Sequence, residues 1–282
     1  MNYRHAYHAG NFADVVKHTV LALLIERLKE KDAAFRVIDT HAGVGFYDLA
    51  GDEATRTGEW RQGIGRLLSR KLDPALLELL RPYLAVIRIA NGGGAPTRYP
   101  GSPWIARELL RPQDRLTAIE LHPADAAELR EVFADDRRVK TIGLDGWLAL
   151  GSFVPPKERR GLVLVDPPYE ERDDFDKLVA GLKTAHRRWP TGIYALWYPV
   201  KDLVAVDRFR SDLVQSGIKR IIRAELLVRN RAAAGRFNGA GLVICNPPWK
   251  FDDTLNALLT GLWPHLADGP GAGKVIDIIA GE

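Results

Sequence analysis

From Leu116 onward the chain alternates between two textures, and that alternation limits the folds open to it. LTAIEL (116–121), VKTIGL (139–144), GLVLVD (161–166) and GIYALWYPV (192–200) are short aliphatic or aromatic runs of the kind that fill buried strands. Between them stand ADAAELREVF, GWLALGSF and FDKLVAGLKTAHRRW, whose apolar residues recur at helical spacing. Strand–helix alternation predicts a mostly parallel sheet covered by helices on both faces. Upstream, FADVVKHTVLALLIERLKE (12–30) reads as an amphipathic helix, and Phe35 to Ile38 as a short strand followed by a small-residue turn at 42–45. From about 48 to 100 the pattern changes to two or three helices and a glycine-rich loop, which predicts an insertion. SPWIARELL then predicts a helix with Ser102 as its N-cap and Pro103 in the first turn. Late in the chain, IKRIIRAELLV and GLVICN lack a helix between them and predict an antiparallel hairpin at one edge. A last helix and a tail strand, KVIDIIA, follow.

Composition narrows the classes. The 282 residues are 46% hydrophobic and 27% charged, which is ordinary for a globular chain of one or two domains. The net charge of +4 and the excess of arginine over lysine suit contact with nucleic acid, or simply solubility. The single cysteine, Cys245, lies in an apolar run and excludes an intrachain disulfide; it reads as a small core residue. The N-terminus has no apolar leader and no segment approaches about 18 apolar residues, so a soluble, cytoplasmic protein without membrane contact is expected. His5 and His8 are three apart, but no partners at ligand spacing accompany them, and no metal is expected.

In an open α/β sheet, ligands sit beyond the carboxyl ends of the parallel strands. Acids gather there. The first strand runs into Asp39-Thr40-His41-Ala42-Gly43-Val44-Gly45, the second ends at Glu120, the third at Asp145-Gly146, and the fourth at Asp166-Pro167-Pro168-Tyr169. The glycine turn lets backbone approach a ligand, or is a plain turn. Glu120 is placed to accept two hydrogen bonds from a ribose diol, or to cap a helix. Asp145 suits the amino group of an adenine ring, or a common Asp-Gly turn. His41 within the turn favours a ligand contact. No phosphate-gripping Lys or Arg follows the glycines, which favours a nucleoside-type ligand such as S-adenosylmethionine over a dinucleotide.

The tetrapeptide Asp166-Pro167-Pro168-Tyr169 is the most specific of these signals. An exocyclic amine on a base is a poor nucleophile, because its lone pair is delocalised into the ring. The Asp166 carboxylate and the Pro167 carbonyl could each accept one amine hydrogen and aim the lone pair at a methyl donor. The two prolines keep those acceptors in place beforehand. Tyr169 could stack on a base flipped out of its strand. The alternative is a strand-ending turn stiffened by prolines. A related stretch, Asn246-Pro247-Pro248-Trp249, falls after the strand expected to run antiparallel. Its position predicts the opposite rim of the sheet, where it would form a rigid exit turn with a packing tryptophan.

Several longer stretches carry a family resemblance. YRHAYHAGNFADVVKHTVL, DTHAGVGFYDL, RTGEW, YPGSPWIARELLR, ELHP, RRGLVLVDPPYE, YALWYP and NPPWK resemble the RlmJ family of 23S ribosomal RNA adenine-N6 methyltransferases, over nearly the whole chain. The resemblance implies a Rossmann-like class I methyltransferase fold: a mostly parallel seven-stranded sheet with an antiparallel edge hairpin. The catalytic fold would comprise residues 1–47 and 100–282, and a helical subdomain residues 48–99. It implies S-adenosyl-L-methionine as cofactor, no metal, 23S rRNA as partner with the adenine at position 2030 as target, and a monomeric enzyme. Carried onto matching positions, His18, His41, Ser102, Glu120, Asp145, Gly146 and Asp166 would meet the cofactor or do chemistry, with Tyr3 and Tyr169 near the substrate base. A DNA adenine-N6 methyltransferase would share the Asp-Pro-Pro-Tyr chemistry, and a non-catalytic RNA-binding module would share the fold. The basic connection RNRAAAGRFNGA, with Arg229, Arg231 and Arg236, reads either as a mobile loop or as a phosphate-contacting one.

Overall fold

The alternating segments assemble into one large sheet in the computed structural model, which describes residues 5–233 and 236–281. Tyr3 lies outside the described residues. The chain enters through a 3-10 turn, His5–Tyr7, and α1 (Phe12–Lys29). The Asn11 side-chain oxygen accepts from the Ala13 and Asp14 N–H groups, two of the donors a helix start leaves without partners. β1 (Arg36–Asp39) follows. β2 (Phe46–Asp48) then pairs antiparallel with β3 (Arg98–Pro100), and between them lie α2 (Asp52–Thr57), α3 (Ile64–Leu68) and α4 (Pro74–Ala90). α5 (Ser102–Leu109) leads back to the sheet. The order then runs β4 (Arg115–Glu120), α6 (Pro123–Val132), β5 (Val139–Gly143), α7 (Gly146–Ser152), β6 (Gly161–Val165), α8 (Asp174–Arg188), β7 (Ile193–Val200), α9 (Leu203–Gln215), β8 (Ile221–Leu227), β9 (Gly239–Cys245), α10 (Phe251–Leu266) and β10 (Gly273–Ala280).

The sheet order is β10-β8-β9-β7-β6-β1-β4-β5. β5, β4, β1, β6 and β7 are mutually parallel, while β9, β8 and β10 extend them with antiparallel pairings. Among the described residues the sheet therefore has eight strands rather than the expected seven. The β8–β9 hairpin is not at the edge either, because the tail strand β10 covers β8. That cover satisfies a row of backbone groups which an edge strand would leave open, and every residue of β8 is buried.

Side chains alternate between two cores, as the pleat requires. Leu162 and Leu164 face a core shared with α1, α4, α5 and α10, while Val163 and Val165 face one shared with α7, α8 and α9. Ile64, Leu67, Leu80 and Tyr83 from the segment between β2 and β3 join the first core.

The parallel part of the sheet places the site. The chain leaves β1 towards β4 and β5, and leaves β6 towards β7, so the switch in strand order falls between β1 and β6. Asp39 pairs with Leu164, so Asp166 stands two residues beyond it on the neighbouring strand, at the same rim. β9 runs the other way: Cys245 pairs with Tyr194, near the start of β7. Asn246-Pro247-Pro248-Trp249 is thus at the opposite rim, far along the strands from Asp166. Asn246, at φ +54, donates from Nδ2 to the Pro190 and Gly192 carbonyls at 2.7 and 2.8 Å. Trp249 does not pack as expected; it is 81% exposed. The turn is held by its backbone instead, since Arg27 and Arg220 donate to the Trp249 and Pro247 carbonyls. Cys245 is buried, and burial pushes its thiol up to about 12.

Candidate active site

Asp166 leaves β6 at the rim and meets a cation that comes from α1. Lys17 Nζ lies 2.5 Å from Asp166 Oδ2 and 2.9 Å from Asp14 Oδ1. The lysine side chain is only 4% exposed, and its ammonium stands 5.5 Å from the centre of the Trp197 ring. Asp14 also accepts from the Gly10 N–H at 2.9 Å and lies 3.0 Å from His5 Nε2. Burial opposes each of these charges. For Lys17 the two carboxylates outweigh it and hold the ammonium above its usual range. For Asp14 the neighbouring His5 and the Lys17 ammonium outweigh it and hold the carboxyl well below the usual range. A buried charge is stable only with such partners. The line His5–Asp14–Lys17–Asp166 is therefore a fixed ionic support beneath the diproline corner.

Tyr169 closes the corner. Its φ of +54 is a left-handed conformation that a non-glycine residue adopts only when its surroundings hold it there. The phenol donates to the Trp197 carbonyl at 2.6 Å, and the ring meets Phe175 and Trp197 at centroid distances of 5.1 and 5.6 Å. The ring is half-buried, with an orientation set from behind by the hydroxyl.

Beside this corner the other strand ends form a cradle. Glu120 accepts from the Gly43 N–H at 2.9 Å and the His122 N–H at 2.8 Å, so the carboxylate fixes the glycine turn. Burial raises its carboxyl, and those two N–H groups pull it back. Each oxygen retains a further lone pair for a diol. Asp145 caps α7 through one oxygen, 2.8 Å from the Trp147 N–H. A side chain at Gly146 would meet the Thr40 carbonyl at 2.3 Å and the His41 ring at 2.8 Å, so only glycine lets α7 approach the first turn. Thr40 Oγ1 donates to the Leu164 carbonyl at 3.0 Å and lies 2.8 Å from His41 Nδ1. The hydroxyl has a single hydrogen, so Nδ1 donates and Nε2 is left as an acceptor. Burial lowers His41 to about 3, which keeps the ring neutral.

Asp39 lies at the centre of the cradle and is almost wholly buried, with no hydrogen-bond partner for Oδ2. Burial pushes its carboxyl up to about 7; the Ser102 hydroxyl and the His41 N–H pull it down, and Asp166 nearby pushes it further up. Ser102 is the first residue of α5 and not its cap, a place held by Gly101. An orphaned buried oxygen, a neutral imidazole acceptor, two carboxylates with spare lone pairs and a glycine-lined gap suit a nucleoside carrying a cationic side chain. S-adenosylmethionine has that chemistry, and Asp39, His41, Glu120, Asp145 and Gly146 would be the residues to hold it.

Other expected residues are engaged elsewhere. His18 is fully buried, with Nδ1 2.7 Å from the Tyr99 hydroxyl, which is 3.1 Å from that of Tyr83. Burial pushes His18 to about 3, so it is a neutral strut behind Asp14, whose Oδ1 is 3.9 Å from Nε2. In the basic connection, Arg229 pairs with Asp268 and the Phe237 carbonyl, and Arg231 with Glu225 and Asp207. Both brace the loop. Arg236 is the exposed one. Phe237 rests on Phe12 and Trp197, so the loop borders the site. Lys17, Asp14 and Trp197 also stand at this corner, and the local pattern of the sequence did not single them out, whereas Asp39 was visible only as one of the strand-end acids. Lys17 alone left a signal, a charge on the stripe Ala13-Val20-Leu24 of an otherwise apolar helix. Among the described residues, no group of three His, Cys, Asp or Glu is close enough to hold a metal.

Comparison with known proteins agrees with this geometry. The family model described as ribosomal RNA large subunit methyltransferase D, RlmJ, matches residues 32–278. The Escherichia coli K12 protein named ribosomal RNA large subunit methyltransferase J is 45% identical over 265 residues, covering 94% of this chain and 93% of its own length. The Haemophilus influenzae protein of the same name is 43% identical over 277 residues, covering 98% of both chains. A Legionella pneumophila protein of known crystal structure superposes with a TM-score of 0.87 at 33% identity, over 98% of this chain and 99% of that one. The chain belongs to the RlmJ family of ribosomal RNA large subunit methyltransferases.

Proposed function

We propose that the protein transfers a methyl group from S-adenosyl-L-methionine to the N6 amine of an adenine in 23S ribosomal RNA, acting as a monomer in the cytoplasm. Family membership supports the substrate class, and no described helix is long and apolar enough to cross a membrane. One observation carries the chemistry. A carboxylate held against a buried ammonium stands at a stiff Pro-Pro corner, one strand away from the Asp39 cradle.

When bound, the cofactor supplies an electrophilic methyl on a cationic sulfur. Asp166 Oδ2 is committed to Lys17, which leaves Oδ1 to accept one hydrogen of the adenine amine. The Pro167 carbonyl accepts the other. Two acceptors on one nitrogen favour a pyramidal amine with its lone pair projecting, and rigid placement means that no reorganisation is needed at the moment of attack. The methyl would pass to that nitrogen as its C–S bond is given up, the bonding pair remaining with the departing thioether. The nitrogen then bears a positive charge and loses a proton, for which Asp166 is the nearest base. Removal after attack is the easier order, because a neutral aromatic amine is a very weak acid. The half-buried face of Tyr169 offers a stacking surface for a base drawn out of its strand.

The test is methyl transfer from labelled S-adenosylmethionine to protein-free 23S rRNA and to DNA of the same sequence, followed by nucleoside mass analysis. N6-methyladenosine in the RNA alone is expected. Label in DNA alone, or on another base, would overturn the reading.

A further inference from the structure

We propose that Glu59, in the helical segment between β2 and β3, is a positioning residue for RNA: it clamps residues 5–11 beside the acid corner. This rests on the methyltransferase reading for the identity of the ligand. Both Glu59 oxygens lie 3.0 Å from His8 Nδ1, and Oε2 accepts from Asn11 Nδ2 at 3.0 Å. Asn11 uses its other side-chain atom, Oδ1, to cap α1, the helix that carries Asp14 and Lys17. One carboxylate therefore ties the N-terminal segment and the start of α1 to a point about fifty residues on.

The backbone around it is fitted to the same purpose. The Ile64 N–H donates to the Gly10 carbonyl at 2.9 Å, and the Thr57 hydroxyl bonds the Tyr7 carbonyl. A Cβ at Gly63 would lie 2.1 Å from the Gly10 oxygen and 2.4 Å from the Asn11 carbonyl carbon. On its other side the segment is held by Asp14, through the Gly10 N–H and His5 Nε2. Asp14 shares Lys17 with Asp166, so any shift of residues 5–11 occurs one side chain away from the corner where a base must enter.

His8 and Glu59 are each 37% exposed. Half-exposed pairs contribute little to global stability, so the clamp acts on geometry and not on whether the chain folds. Its loss weakens the grip on RNA and leaves the cofactor cradle, built from β1, β4 and α7, as it was.

The experiment uses full-length protein, a fluorescent fragment of protein-free 23S rRNA, and S-adenosylmethionine, with the variants Glu59→Ala and Glu59→Gln. For Glu59→Ala, RNA affinity is expected to fall about 10-fold, with cofactor affinity within about twofold of wild type. Amide exchange across residues 6–11 is expected to quicken. Glu59→Gln keeps an oxygen for Asn11 and should recover roughly half of the loss on a logarithmic scale. Unchanged RNA affinity in Glu59→Ala, or an equal fall in cofactor affinity, would overturn the proposal. Because the readout is binding, its failure is distinct from that of the proposed reaction: a wild-type protein that binds this RNA without methylating it would contradict the reaction alone.

Discussion

Lys17 and Asp166 are 149 residues apart in sequence, and their ammonium and carboxylate meet at 2.5 Å. The lysine is nearly sealed from water, while the aspartate side chain is 13% exposed, open on the side of the site. A cation placed behind the acid draws on one oxygen, and in the proposed reaction the other is the one that accepts from the substrate amine. The carboxylate is thereby fixed in direction as well as in charge.

Replacing Lys17 with Met keeps most of its volume and removes its charge. Asp14 and Asp166 then face each other with no cation between them. Breaking a buried pair from one side costs about 3–5 kcal/mol, and urea denaturation should show a loss of that order. Methyl transfer by the folded fraction is expected to fall at least ~100-fold, since the acid loses its orientation. A variant of wild-type stability and rate would show that the pair is incidental.

Asp39 provides a pH test with a definite sign. Its carboxyl is raised to about 7 from 3.8 by burial, so the folded protein holds this proton more tightly than the unfolded chain does. The stability that comes from the neutral form is fully present below about pH 3.8 and is lost progressively as pH rises from there to about 7. Asp39→Asn is neutral at every pH and escapes that loss. Relative to wild type it should gain on the order of 4 kcal/mol at pH 8, falling to about 2 kcal/mol near pH 5 and towards zero only below about pH 4, by the usual linkage of about 1.4 kcal/mol per pH unit. Thermal melts across that range measure it, and a difference that does not vary with pH would contradict the assignment.

Much of this site could be read from local pattern. A buried strand that ends in an acid at the switch point of a parallel sheet announces itself within six residues, as GLVLVD does, and four such ends specify a rim. Long-range polar partners do not announce themselves. Lys17 stands out as a charge on an apolar stripe, but its partner at Asp166 appears only when α1 is laid against β6. Arg229 and Arg231 look like free cations until Asp268, Asp207 and Glu225 are brought to them. β2 and β3 are three residues each, too short for a two-residue period to be recognised, and they pair across about fifty residues. Trp249 was expected inside because large aromatic residues usually are; two left-handed residues, Asn246 and Lys250, bracket the turn and carry the ring outward.

Asn246→Ala separates the two Pro-Pro stretches. It leaves the Pro190 and Gly192 carbonyls without their donor and puts a Cβ-branchless but non-glycine residue at φ +54. A loss of about 1–3 kcal/mol in stability is expected, with kcat within about threefold of wild type, since the turn is on the far rim. A collapse of rate in a well-folded variant would contradict the strand order.

Tyr169 carries two roles that substitution can part. Tyr169→Phe keeps the stacking ring and loses the bond to the Trp197 carbonyl, so a fall of up to about 10-fold in kcat/KM is expected. Tyr169→Ala removes the ring, and its fall should exceed that of the Phe variant by a further ~10-fold or more. Equal effects from both variants would assign the contribution to the hydroxyl alone.

The most direct measurement is made on Asp166→Ala, with cofactor binding by calorimetry and single-turnover methyl transfer to 23S rRNA followed on the same preparation. Binding of S-adenosylmethionine within a few-fold of wild type, together with a rate lower by about 1,000-fold or more, is the expected result. Turnover near that of wild type in this variant would contradict the role given to the diproline corner.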